Sequence, residues 1–241
     1  MDIAIDEIAA ETFRLSSYSP EAGLTFNQFV VRDQQPLLYH TGFQRAFSST
    51  RDAVATLRDP AKLRWIGFSH FEPDECGALN NWLAIAPDAT AVTSAVGASV
   101  MLDDFADRPA RALMDGERLD TGAHTFEFLS TPHLPHGWDA SLLFDETERT
   151  LFASDLFLHQ GEGPAVVETD IVGPAREMMA STRDSPFAHS IPWTSRTNAM
   201  FDRLMLLQPN TLAIMHGSAF RGNGSGALSE LRGCLRTLSA S

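Results

Sequence analysis

Ser69-His70-Phe71-Glu72-Pro73-Asp74-Glu75 decides how this chain is read. The apolar run before it, Leu63-Arg64-Trp65-Ile66-Gly67-Phe68, predicts a buried strand. Asp74 is placed to cap a helix that continues through Asn80-Asn81-Trp82-Leu83. A strand that ends in a His-x-Glu-x-Asp turn projects three donor side chains from one short loop. Imidazole nitrogen with carboxylate oxygen is a donor set that first-row transition metals accept. The same residue types are also ordinary at strand ends, so the rest of the chain has to decide.

Four further places carry donor-type side chains directly after apolar strand-like runs. They are Thr131-Pro132-His133-Leu134-Pro135-His136-Gly137-Trp138-Asp139, Phe152-Ala153-Ser154-Asp155, Ile214-Met215-His216-Gly217, and His40 at the end of Pro36-Leu37-Leu38-Tyr39. Binding groups commonly sit on loops held by a rigid scaffold. One such occurrence means little, whereas several suggest convergence on one rim.

Outside these places the pattern is simpler. Residues 1–20 carry little periodicity, and Thr25–Val31 and Pro36–Tyr39 read as strands about a turn at 32–35. Helices fit Ser49–Leu57, Ala95–Phe105, a stretch from Thr194-Ser195 to Leu207, and Ala227–Leu238. Strands fit Ala89–Thr93, Ala112–Met114, Thr125–Leu129, Ser141–Phe144, Thr150–Ala153 and Thr211–Met215. Residues 159–192 read as irregular, with one helical piece near Pro174–Ser181, and a long loop of that kind is more often functional or interface-forming than idle. This order suits two sheets packed face to face with helices outside, in one domain spanning residues 1–241.

Composition narrows the function. The chain has 241 residues, 44% of them apolar and 20% charged, as in soluble globular proteins. No apolar run approaches the roughly 18 residues of a membrane span, and the acidic start Met1-Asp2-Ile3-Ala4-Ile5-Asp6-Glu7 lacks a signal-peptide layout. Cys76 and Cys234 are too few for a disulfide framework and fit a reducing cytoplasm. A net charge of −13 argues against nucleic acid and against an anionic membrane surface as partners.

The order His-x-Glu-x-Asp, then His, Asp and His resembles the metallo-β-lactamase superfamily, over about Leu24 to Ala219. Glu72, where hydrolytic branches typically carry His, makes the chain similar to the flavodiiron proteins and the stand-alone oxygen-binding di-iron proteins. The resemblance implies an α+β αββα sandwich with a two-metal site along the edge where the sheets meet. It assigns His70, Glu72 and His136 to one iron, Asp74 and His216 to the second, and Asp155 to a bridge. No catalytic group is implied beyond these ligands. His136 is preferred to His133 because His136-Gly137-Trp138-Asp139 fits that family's His-x-x-Asp pattern. Glu75 stands where the family often has His, and is read as a ligand, as an outer acceptor or as a charge at a helix N-terminus. His133 is read as an outer or pocket-lining residue, with direct metal ligation as the alternative, and His159, His189 and Trp138 as candidates for the pocket wall.

The charge argument points the same way. An extra anion about 4 Å from a metal contributes on the order of 4 kcal/mol at an effective dielectric near 20. Glu72, Asp74 and Asp155 therefore blunt the Lewis acidity that a hydrolytic zinc pair needs and favour an oxidised iron. The implied activity is binding and reduction of O2 or NO at two iron ions, with electrons from a separate donor protein and no FMN in this chain. Alternatives are a zinc or manganese hydrolase of the same fold, acting on a thioester, phosphoester or lactone, and a non-catalytic O2 or redox sensor. The resemblance also implies a homo-oligomer.

Overall fold

A computed structural model describes residues 2–239. Two seven-stranded mixed sheets lie face to face. The first runs in chain order through β1 (Ala4–Ala9), β2 (Thr12–Ser19), β3 (Leu24–Val31), β4 (Leu37–Tyr39), β5 (Trp65–Gly67), β6 (Thr90–Ser94) and β7 (Arg111–Leu113). The second contains β8 (Arg118–Asp120), β9 (Thr125–Ser130), β10 (Ser141–Asp145), β11 (Thr150–Ser154), β12 (Val166–Val167), β13 (Thr211–Ile214) and β14 (Ala219–Arg221), in the order β12-β14-β13-β11-β10-β9-β8.

Side-chain alternation explains the layers. Leu37 and Tyr39 enter the core between the sheets, while Leu38 enters the core beneath the helices. In the other sheet Phe152 faces inward, and Leu151 and Ala153 face outward. Strands buried on both faces read as continuous apolar runs, with adjacent residues serving different cores. Over the first sheet lie α1 (Phe47–Leu57), a short α2 (Pro73–Cys76) and α3 (Leu79–Ile85), whose Val54, Trp82 and Leu83 are almost fully buried. After a π-helical turn, Gly97–Leu102, comes the short α4 (Asp103–Phe105). Over the second sheet lie α5 (Val172–Ser181), α6 (Thr197–Leu206) and α7 (Gly224–Ser239). Phe201, Leu204, Leu228 and Leu231 pack there against Leu142, Phe144 and Leu212. The result is the expected α+β αββα sandwich. Among the described residues no helix is long and apolar enough to cross a membrane.

Three local expectations need correction. Within the stretch expected to be unpatterned, Ala4–Ala9 and Thr12–Ser19 form the antiparallel pair β1–β2, in which Arg14 and Ser16 are buried although they are polar. The helix expected after Asp74 breaks into α2 and α3, and Glu72, not Asp74, occupies the cap position of α2. The strand expected at Ala112–Met114 is β7 (Arg111–Leu113), one residue earlier, and it pairs with β6 at the end of the first sheet.

Topology sets the site. β4 runs parallel to β5, and β11 parallel to β13, so the segments that follow these strands leave from the same edge. The β9–β10 connection returns there too, because both of its strands pair antiparallel in the same sheet. At this edge the sheets are stitched together. Ser141 N donates to Ser69 O at 2.9 Å, and Asn27 N donates to Met215 O at 3.0 Å.

Candidate metal centre

His70, Glu72, His136 and Asp155 come together with one donor atom each, all within 4.8 Å of one another. His136 Nε2 lies 3.0 Å from Glu72 Oε1 and 3.6 Å from Asp155 Oδ2. His70 Nε2 lies 3.7 Å from both Glu72 Oε2 and Asp155 Oδ2. Beside this group, His216 Nε2 is 3.3 Å from Asp74 Oδ2 and 3.4 Å from Asp155 Oδ1. Asp155 thus turns one oxygen to each set. Donors that share a metal at about 2.1 Å sit roughly 3–4 Å apart, which is the spacing in both sets.

The backbone presents these groups for separable reasons. Asp155 follows Ser154, whose φ of 49° turns the chain sharply at the end of β11. His216 donates from Nδ1 to Thr25 O at 2.9 Å, which leaves Nε2 as the free lone pair. The same loop is held from behind. Asn27 donates to Ile214 O at 2.7 Å and to Gly217 O at 2.8 Å, and Arg14 donates to Gly217 O at 3.2 Å. Asp139, three residues after His136, is spent on the backbone: its carboxylate accepts from Phe71 N at 2.8 Å.

The residues fit a cation. His70 Nε2 and Asp155 Oδ1 are buried without any hydrogen-bond partner, and such atoms are costly unless something satisfies them. Burial opposes a charge on His70, yet Glu75, Glu72 and Asp155 raise its pKa to about 10. Burial likewise opposes a charge on His216, but Asp74 and Asp155 raise it to about 9. The hydrogen bond from His136, then that from His70, hold Glu72 well below the usual carboxylate range. Asp155 is pushed upward by burial against its histidine neighbours. A field that draws protons onto imidazoles so strongly attracts metal cations for the same reason.

The other expected residues are placed apart from this cluster. Glu75 is 1% exposed and bonds to Ser69, His70 N and Ser154 rather than facing the donors. His133 is half-buried with φ of 68°, its N–H donating to Gly137 O, and it stands outside the four-residue group. His159 is fixed by both ring nitrogens: Nδ1 donates to Phe157 O at 2.9 Å, and Nε2 accepts from Ser218 N at 3.1 Å. It therefore ties the Asp155 loop to the His216 loop and does not line the cavity over the donors. His189 lines an adjoining pocket with Arg183 and Trp193, which shares Phe187 and Ile191 with the cavity over the donors. Trp138 is 65% exposed.

The segment 159–192, expected to be functional or interface-forming, supplies much of the wall of a cavity over these donors. A space of about 540 Å³ has Glu72, Asp74, His136, Asp155 and His216 in its wall. Its apolar side comes from Leu24, Phe26, Phe157, Met178, Phe187 and Ile191. Met178 and Met179 on α5 line it too, although a helical apolar pair reads first as core.

Comparison with known proteins adds the following. The model of the family described as "ODP family beta lactamase" matches residues 24–217. The putative diflavin flavoprotein A 1 of Thermosynechococcus vestitus is 30% identical over 210 residues, 85% of this chain and 35% of that protein. The rubredoxin-oxygen oxidoreductase of Megalodesulfovibrio gigas is 26% identical over 207 residues, 83% of this chain and 50% of that protein. The chain thus spans between a third and a half of the length of these two relatives. A metal-soaked Flv1 flavodiiron core from Synechocystis has the same fold, with a TM-score of 0.81 at 21% identity over 98% of this chain and 61% of that one.

Proposed function

The chain belongs to the ODP beta-lactamase family, on the flavodiiron branch of the metallo-β-lactamase superfamily, and from that premise we propose that it is a di-iron protein that binds and reduces O2 or NO. The observation that carries the reading is Asp155, whose Oδ2 faces His70 and His136 while Oδ1 faces His216. His70, Glu72 and His136 would hold one iron, and Asp74 and His216 the other, with Asp155 between them. Two irons there would supply one-electron redox steps and open positions for a diatomic ligand.

The chain's own residues do the rest. Glu72, Asp74 and Asp155 supply anionic oxygen donors that favour the oxidised metal and weaken Lewis acidity, which speaks against zinc hydrolysis. Thr25 O and Ser69 Oγ accept the Nδ1 protons of His216 and His70, so both Nε2 atoms stay available. Phe26, Phe157, Met178 and Ile191 keep the cavity apolar, which suits a small uncharged substrate and limits water at the donors. Electrons come from a donor protein, and this metallo-β-lactamase-like domain works in the cytoplasm as a homo-oligomer.

Metal analysis and an optical spectrum after aerobic purification test the proposal, together with O2 consumption under a chemical reductant. Two irons per chain, ferric absorption and reductant-dependent O2 uptake are expected. Two colourless zincs with esterase turnover would overturn it. Reversible O2 binding without reductant consumption would assign the chain to sensing instead.

A further inference from the structure

Glu75 follows Asp74 directly, but its carboxylate does not line the cavity over the donors. It accepts from Ser69 N and His70 N, each at 2.9 Å, and from the hydroxyls of Ser69 and Ser154, each at 2.8 Å. A carboxylate with two backbone and two hydroxyl donors has its lone pairs committed. It is an acceptor already in use, not a ligand waiting for a metal.

What it holds matters more than where it sits. Ser69 Oγ gives its hydrogen toward Glu75, so it receives one from His70 Nδ1 at 2.7 Å. The order His70 Nδ1–H to Ser69 to Glu75 fixes the imidazole tautomer and aims Nε2 at Glu72 and Asp155. That Nε2 is the buried nitrogen without a partner. On its other flank Glu75 binds Ser154, the left-handed residue immediately before Asp155. One side chain therefore joins the donor loop after β5 in the first sheet to the donor loop after β11 in the second.

The charge fits as well. Glu72, Asp74 and Asp155 offer three negative charges to two divalent cations, and Glu75 supplies a fourth from outside the donor set. His40, fully buried, approaches Glu75 to 3.4 Å through Nε2 but forms no hydrogen bond.

We propose that Glu75 is a positioning residue for the metal pair: it acts through Ser69 on His70 and through Ser154 on Asp155, and ligates neither metal. Outer carboxylates on ligating imidazoles raise ligand basicity, and their loss typically weakens metal affinity by about 10–100-fold. The inference rests on the di-iron reading above.

The test uses the full chain loaded anaerobically with Fe(II), as wild type, Glu75→Gln and Ser69→Ala. Iron affinity is read by chelator competition and midpoint potential by optical titration. Glu75→Gln is expected to weaken iron at least about ten-fold and to shift the potential positive, because a buried anion that favours the oxidised pair is gone. Ser69→Ala cuts the link to His70 but keeps the carboxylate, and is expected to shift both quantities in the same direction by less. A purely structural role would leave the potential of the loaded fraction in place. If Glu75→Gln does not fold, Ser69→Ala alone decides. Variants that match wild type in both quantities overturn the proposal. So does an unchanged Ser69→Ala beside a Glu75→Gln that loses one metal outright, since that pattern marks Glu75 as a ligand. A wild type that takes up no metal overturns the di-iron reading, and this inference with it; a loaded wild type with unaffected variants overturns this one alone.

Discussion

Asp155 Oδ1 lies 3.4 Å from His216 Nε2, and this contact links two donor sets that would otherwise be separate. The carboxylate is nearly buried, and burial pushes its pKa up. Asp155→Asn should therefore weaken both metal binding and the metal-free fold. Iron should fall below one per chain by elemental analysis. The metal-free variant should melt lower than the metal-free wild type, because His70 and His216 lose the buried carboxylate they face. A variant that keeps two irons would show that Asp155 does not bridge.

Glu72 approaches His136 to 3.0 Å and is the anionic donor that sets this chain apart from the hydrolytic pattern. Glu72→His is expected to lower iron content and raise zinc retention after growth in medium containing both metals. Metal analysis with an absorption spectrum checks this. Full iron with an unchanged spectrum would refute the role given to Glu72.

Gly217 has φ of 121°, and a Cβ built there would stand 2.1 Å from His159 Cε1. His159 cannot swing aside without losing Phe157 O and Ser218 N. Gly217→Ala should cost about 1–3 kcal/mol from the backbone alone, lowering Tm by roughly 2–4 °C per kcal/mol. It should also weaken the second metal, since His216 is the preceding residue. The double variant with His159→Ala should recover part of the loss, measurable by urea unfolding.

At the far end of the sandwich His124 Nδ1 bonds Asp145 Oδ2 at 2.7 Å, with both residues buried. That hydrogen bond raises the His124 pKa against the effect of burial. A histidine whose folded pKa exceeds its unfolded value, near 6.5, stabilises fully below that value. The contribution is lost as pH rises through the folded pKa. Asp145→Asn should thus cost about 1.5–3 kcal/mol near pH 6, and the gap to wild type should narrow at alkaline pH. Urea titrations of the metal-free pair at several pH values test this, and a gap that widens with pH would contradict it.

The candidate donors were legible in the sequence because the loops that carry them follow apolar strands. His70, Glu72 and Asp74 also fall within five residues. The β1–β2 hairpin was not, since Arg14 and Ser16 look like loop residues until Arg14 meets Gly217 O, 203 positions away. Glu75 was left open for the same reason: its partner Ser154 lies 79 positions on, and only the folded chain shows that its lone pairs are taken. His159 read as a pocket residue because no local pattern shows that both its nitrogens are occupied. The tautomers of His70 and His216 were equally hidden, because Thr25 O and Ser69 Oγ are unremarkable groups in the sequence.

The division of donors between the loops has a consequence for biosynthesis. Every residue that faces the first set has been translated by Asp155, whereas the second set lacks His216 until the ribosome has added β13. Synthesis proceeds from the N-terminus and domains fold as they emerge. Because β11 pairs with β13, Asp155 is held in place only once β13 has been made, so both halves of the candidate site wait for the same late stretch of chain.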